Sequence, residues 1–221
     1  MSGRRGRGTP SRTRQKRSIK SRVLIVCEGQ KTERLYFDRL KREDRVAKRF
    51  DVTVKKGKGG SREQIAKYAI QRKNDPGGDY DEVWCVMDVE GSSHRDSLDK
   101  ALALLRVNDI TPCLSNPAFE VWLLAHFEKT GSPFNDCSGI IIRLTKHWRD
   151  RFGTDYQKND SDIFRKLRPM LDTALSRAKW VREQHHQQTD STCDCNSCTD
   201  VYSLVGHLLG CGDELPATHP C

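Results

Sequence analysis

Val23-Leu24-Ile25-Val26-Cys27-Glu28-Gly29 and, further along, Val83-Trp84-Cys85-Val86-Met87-Asp88-Val89-Glu90 decide how this chain folds. Each is a short apolar run rich in β-branched residues that stops abruptly at acids, the pattern of a strand buried on both faces. Each is followed by a helix-like segment, and in a parallel sheet both acidic ends emerge at the same C-terminal edge. Glu28, Asp88 and Glu90 are therefore expected to converge on one point. Carboxylates a few ångströms apart repel one another unless a positive charge neutralises them. Oxygen-only ligands favour Mg²⁺ or Mn²⁺, which take one or two carboxylates and leave room for water and substrate phosphate. Acids at strand ends also have an ordinary explanation, because strand ends are solvated and Asp and Gly favour turns. The two clusters in this order favour the metal reading.

Outward from these strands the chain alternates. Gln30-Lys31-Thr32-Glu33 opens a helix through about Glu43, with Leu35, Tyr36 and Leu40 toward the core, and a short connection leads to a second strand at Val52-Thr53-Val54. Ser61 is a good N-cap with Gln64 in the capping-box position, and that helix runs to about Lys73, before Pro76-Gly77-Gly78. Leu98, Ala101, Leu102 and Leu105 share one face of a further helix, and Ile110 to Leu114 makes a fourth strand despite Pro112. The alternation predicts an α/β fold, a parallel sheet flanked by helices. Ser115-Asn116-Pro117 reads as a turn with proline at the first helical position, ahead of an apolar helix from Ala118 to Glu128. Helices are expected near 136–150, 160–185 and 200–210. The expected organisation is a basic tail over 1–21, an α/β core over 22–130, a helical C-terminal region over 131–212 and a flexible tail over 213–221.

The net charge of +9 is unevenly placed. Arg4, Arg5, Arg7, Arg12, Arg14, Lys16, Arg17 and Lys20 fall in the first twenty residues with no acid among them, so the rest of the chain is nearly neutral. Such a tail cannot bury apolar surface and is expected to be disordered; it suits nonspecific contact with the phosphates of RNA or DNA, although a solvated tail without a partner reads the same way. No apolar stretch reaches the length of a membrane span and no hydrophobic signal segment follows Met1, so a cytoplasmic location is expected. The cysteines number nine, an odd count, and Cys27 and Cys85 lie within core strands; reduced thiols are expected rather than a disulfide framework.

Three further features invite chemistry. Lys56-Gly57-Lys58-Gly59-Gly60 lacks the spacing of a phosphate-binding loop, yet Lys56 and Lys58 could meet a substrate backbone, as could Lys31 at a helix start. Cys193, Cys195 and Cys198, with His185, His186 and Cys211 nearby, offer a C-x2-C pair for a structural zinc, against the alternative of an unliganded polar loop. His126 lies in an apolar helix and reads as a core hydrogen-bonding residue rather than a catalytic one.

Val26-Cys27-Glu28-Gly29-Gln30-Lys31-Thr32-Glu33 with Tyr36-Phe37, Val86-Met87-Asp88-Val89-Glu90, Ser115-Asn116-Pro117-Ala118-Phe119-Glu120-Val121-Trp122-Leu123-Leu124, and Thr199-Asp200-Val201-Tyr202-Ser203-Leu204-Val205 together resemble the RloB family of bacterial proteins. The resemblance spans most of residues 21–210. RloB proteins look like members of the TOPRIM superfamily, with a glutamate after the first strand and a DxD pair after the third. The resemblance implies a TOPRIM-like fold, a Mg²⁺-dependent activity on nucleic-acid phosphodiesters, and a place in phage defence or abortive infection beside a partner ATPase. On it Glu28 matches the first-strand glutamate, Asp88 and Glu90 match the DxD pair, and Glu33 and Glu120 match acids in the family's own motifs. This chain departs from the pattern in having DxE, which moves the second carboxylate by about a bond length.

The function expected is a metal-dependent nuclease. Asp88 and Glu90 would hold the ion, Glu28 would act as ligand or general acid/base, and Lys31 would stabilise charge at phosphorus. A noncatalytic adaptor that docks an ATPase is the alternative, and nucleotidyl transfer a third reading with the same metal chemistry.

Overall fold

The computed structural model describes residues 20–29, 31–89, 95–134, 136–186 and 192–211. Glu90, the arginines of the amino-terminal tail and the 213–221 tail lie outside the described residues. Strands β1 (Ser21–Cys27), β2 (Phe50–Lys56), β3 (Glu82–Asp88) and β4 (Thr111–Ser115) form a four-stranded sheet in the order β2-β1-β3-β4. All pairings are parallel: Cys27 stands opposite Lys56 on one side and Val86 on the other, and Asp88 opposite Ser115. This is the helix-flanked parallel sheet expected of a TOPRIM-like α/β fold.

Side-chain alternation divides the core in two. Val23, Ile25, Cys27, Trp84, Val86 and Cys113 face one layer; Leu24, Val26, Val83, Cys85, Met87 and Leu114 face the other, where they meet α3 (Arg62–Asn74) and α4 (Arg95–Val107). Burial on both faces is why β1 and β3 read as unbroken apolar runs. The first layer is filled by α1 (Thr32–Leu40), α2 (Asp44–Arg49), α5 (Glu120–Ala125), α6 (Cys137–Phe152), α7 (Ile163–Leu167), α8 (Leu171–His186) and α9 (Val201–Leu209). Ile140, Leu144, Trp148, Phe164, Leu167 and Leu204 belong to the same cluster as Val23 and Ile25, so the helical region closes one face of the sheet.

Several boundaries differ from expectation for local reasons. The first helix ends at Leu40 rather than Glu43, because Arg42 and Glu43 donate to Arg39 and Leu40 in i→i−3 bonds, and the extended Glu43 opens the unanticipated α2. Ser61 caps α3 as expected: its side chain accepts from the Gln64 N–H at 3.3 Å while Gln64 Oε1 accepts from Ser61 and Gly60. Pro112 is tolerated because β4 is an edge strand with one side outside the ladder. The helix expected from Ala118 begins only at Glu120, after a cis Asn116–Pro117 peptide, and ends at Ala125. The segment expected as one helix over 160–185 is broken by a 3₁₀ turn, Arg168–Met170, where Pro169 lacks the N–H a continuous helix requires. No helix among the described residues is long and apolar enough to cross a membrane.

Trp148 is fully buried and its ring packs 4.9 Å from Phe152 and 5.5 Å from Tyr156. Trp148→Ala should destabilise the chain by about 3–5 kcal/mol, read from the urea unfolding midpoint at unchanged slope; a loss below 1 kcal/mol would show that the helical region does not share the core.

Candidate functional site

The chain leaves β1 for β2 on one side and reaches β3 on the other, so the sheet reverses its winding between β1 and β3. In an open α/β sheet, that crevice beyond the carboxyl ends of the strands is where ligands bind. Glu28 and Asp88 stand on its two sides. The Glu28 N–H extends the ladder to the Val86 carbonyl at 2.9 Å, and its carboxylate Oε2 accepts the Asp88 N–H at 3.0 Å. Asp88 Oδ1 in turn accepts the Phe119 N–H at 2.8 Å, which ties the end of β3 to the loop after β4. Arg62, on the first turn of α3 and only 3% exposed, donates through Nε to the Asp88 carbonyl at 2.7 Å and lies 3.9 Å from Glu28 Oε2.

Glu33 folds back over Gly29. A Cβ at position 29 would lie about 2 Å from the Glu33 carboxylate, so only glycine leaves that space. Burial raises the Glu33 carboxyl from its ordinary 4.5 to about 7; its own backbone N–H opposes the rise, Glu120 and Glu28 add to it, and Lys158 opposes it. Glu120, 3% exposed, has a dense set of partners. Tyr156 Oη donates to Oε1 at 3.2 Å, Lys158 Nζ stands 3.1 Å from the same oxygen, and the Cys137 thiol donates to Oε2 at 3.7 Å. Thr32 Oγ1 donates to the Lys158 carbonyl at 2.9 Å and fixes that loop against α1. Cys137 is pushed up to about 12, by burial first and then by Glu120, with a smaller contribution from Asp88. Asp88, Glu28, Glu33 and Glu120 therefore share one electrostatic environment.

The residues singled out from sequence are distributed as follows. Glu28, Asp88, Glu33 and Glu120 are brought to the same sheet edge, while Glu90 lies outside the described residues. Lys56 ends β2 opposite Cys27, at this same edge, and Lys58 places its ammonium 5.6 Å from the Tyr68 ring. Lys31 is exposed just before α1. Arg62, Cys137, Tyr156 and Lys158 were missed. A buried arginine beside a capping serine carries no periodic signal, and Tyr156 and Lys158 come from an irregular segment between helices. His126 is buried and donates through Nδ1 to the Trp122 carbonyl at 3.0 Å; burial lowers it to about 4, so it is neutral at pH 7.

Among the cysteines, Cys193 packs into the α3–α4 layer, whereas Cys195 and Cys198 group with Val181. The expectation of thiols throughout needs correction: Cys195 and Cys198 are joined in a disulfide within one C-x2-C turn, their Cα atoms 5.5 Å apart, a separation suited to such a bond. His185, not Cys193, is the third residue beside that pair. Cys211 lies instead near the Arg45 guanidinium.

A hard cation fits the donor chemistry of the crevice. Among the described residues no three carboxylates gather their oxygens within 4.8 Å of one another. Mg²⁺ does not require that, because it ordinarily keeps several waters and takes one or two protein carboxylates; Glu28 and Asp88, neighbours at the strand ends, are the residues that would hold it.

A family model described as RloB-like protein matches residues 23–208, most of the chain, and the chain belongs to that family. No curated protein and no solved structure matches it.

Glu33 couples the stability of the chain to pH. The unfolded chain ionises this residue near 4.5 and the folded chain near 7, so between those values the folded state holds the extra proton and stability falls as pH rises. In a metal chelator, Glu33→Gln should be more stable than the wild type at about pH 8, by on the order of 3 kcal/mol, and the difference should close below about pH 4.5; a difference independent of pH in denaturant titrations would contradict the burial argument. Gly29→Ala should expel the Glu33 carboxylate while the sheet persists, so its far-ultraviolet circular dichroism should match wild type and the pH dependence of its stability should flatten over the same range.

Proposed function

We propose that this RloB-like protein is a Mg²⁺- or Mn²⁺-dependent nuclease that hydrolyses nucleic-acid phosphodiesters, acting in the cytoplasm as an effector of antiphage abortive infection together with a partner ATPase. The observation that carries this reading is the placement of Glu28 and Asp88 side by side across the β1–β3 crevice, joined through the Asp88 N–H. These two residues would hold the ion, with Glu90 as a further ligand. Bound there, the ion would polarise the scissile phosphate and supply an activated water.

The chain's own groups have distinct tasks. The Phe119 N–H orients Asp88, and Arg62 fixes the end of β3 while offsetting part of the charge of Glu28. Glu33, whose proton affinity lies near neutrality, is suited to take a proton from water and return it to the leaving oxygen. Glu120 is a positioning residue held by Tyr156 and Lys158. The acidic crevice repels phosphate, so productive binding depends on the cation, assisted by Lys31, Lys56, Lys58 and the basic tail.

Purified protein incubated with labelled tRNA, mixed RNA and DNA, with and without Mg²⁺, tests the reading. Shortened products should appear only with the metal. Asp88→Asn keeps an oxygen for the Phe119 N–H but removes the charge, so cleavage should fall by about 100-fold or more with the melting temperature nearly unchanged. Full cleavage by this variant would remove Asp88 from the mechanism. Unaltered substrates under every condition would favour the adaptor, and extended or nucleotide-labelled products would favour nucleotidyl transfer.

A further inference from the structure

Away from the acidic crevice, the end of α8 meets the turn Thr192-Cys193-Asp194-Cys195-Asn196-Ser197-Cys198. Cys195 Sγ, Cys198 Sγ and a ring nitrogen of His185 lie within 4.8 Å of one another, the one such group of three among the described residues. Both cysteines are 1% exposed, while His185 is partly exposed. We propose that, with its two cysteines as thiols, this group is a zinc site in which Cys195, Cys198 and His185 are the protein ligands.

Three observations support the assignment. First, the turn is shaped by contacts that do not depend on a bond between the sulfurs. The Cys198 N–H donates to the Cys195 carbonyl at 3.2 Å, the Asn116 N–H to the Cys198 carbonyl at 2.9 Å, and the Ser197 N–H to the Asn116 carbonyl at 2.8 Å. Asn196 exchanges hydrogen bonds with the Phe134 backbone, and Ser197 takes a left-handed φ of 70°. The two sulfurs are thus held on one side of a preformed turn. Second, a disulfide alone has no use for an imidazole, whereas two thiolates and one imidazole are the soft and borderline donors that Zn²⁺ selects, and all three ligand atoms are gathered within 4.8 Å. Third, the site spans separate elements. It would fasten the carboxyl end of α8 to a turn that grips Asn116, and so brace the loop that delivers the Phe119 N–H to Asp88.

On binding, each thiol releases a proton to solvent as its zinc–sulfur bond forms. With His185 partly exposed, water would complete the shell. The ion requires the dithiol form, so the protein must be prepared in a thiol-free phosphine reductant, which reduces the Cys195–Cys198 bond.

The test is metal content and cobalt spectroscopy on the full chain. Reduced wild type should carry about one zinc per chain, and Co²⁺ replacement should give thiolate charge-transfer absorption in the near ultraviolet with the strong visible bands of a tetrahedral ion. Cys195→Ser and Cys198→Ser should lose the metal, and His185→Ala should weaken it by about 100-fold or more, beyond the usual cost of losing an outer-sphere partner. Cys193→Ser should retain it, and so should Asp88→Asn, which separates this site from the acidic crevice whatever the nuclease assay shows. Chelation of the reduced protein should lower the melting temperature by about 5 °C or more. Reduced wild type that takes up neither zinc nor cobalt, or equal loss of metal from Cys193→Ser and Cys195→Ser, would overturn the assignment. Should the serine variants fail to fold, the cobalt titration of reduced wild type decides alone, since the absence of thiolate bands refutes the site.

Discussion

The hydrogen bond from the Asp88 N–H to Glu28 Oε2 is the contact around which the rest of the molecule is arranged. It exists because β1 and β3 are parallel neighbours, with Cys27 opposite Val86, so that both chains run out of sheet at the same edge. Two consecutive strands in an antiparallel hairpin would have carried these acids to opposite ends. Once together they concentrate negative charge in a crevice bordered by apolar layers. Arg62 is buried to meet that charge, and the Phe119 N–H is aimed at it.

Behind this pair the second set of acids is held by packing rather than by the sheet. Glu33 reaches its position because Gly29 has no side chain, and Glu120 because the β4 loop is anchored through Asn116 to the C-x2-C turn. The helical region supplies Cys137, Tyr156 and Lys158 against Glu120, so it is a wall of the site as well as a cover for the hydrophobic face. Ser115 and Thr199 share a 2.7 Å hydroxyl contact, and Asp200 accepts the Leu114 N–H; these contacts draw the last helix to the same strand end. Motifs far apart in the chain are thereby members of one hydrogen-bonded assembly.

How much of this was legible varies with the range of the interaction responsible. The four strands, the Ser61 cap and the acidic strand ends follow from local patterns, apolar runs and short spacings, that the chain carries on its face. The early end of α1, the extra helix α2 and the late start of α5 were missed, because the i→i−3 bonds of Arg42 and Glu43 and the turn after Asn116 leave no mark in the apolar periodicity. The cysteines show the same limit: spacing drew attention to Cys193, Cys195 and Cys198 alike, but the pleat of the turn sends Cys193 into the core and leaves the other two beside His185.

By itself, then, the sequence determined that a parallel sheet would form and that Glu28 and Asp88 would leave it at a common edge, since both follow from residue type and periodicity along a strand. Only the tertiary structure decided which cations and hydroxyls meet those acids, that Glu33 would be buried against Gly29 strongly enough to hold a proton near neutrality, and that His185 would join a cysteine pair. The physical reason is that desolvation and charge coupling depend on distances between segments far apart in the chain, and those distances exist only once the helical layer has closed over the sheet.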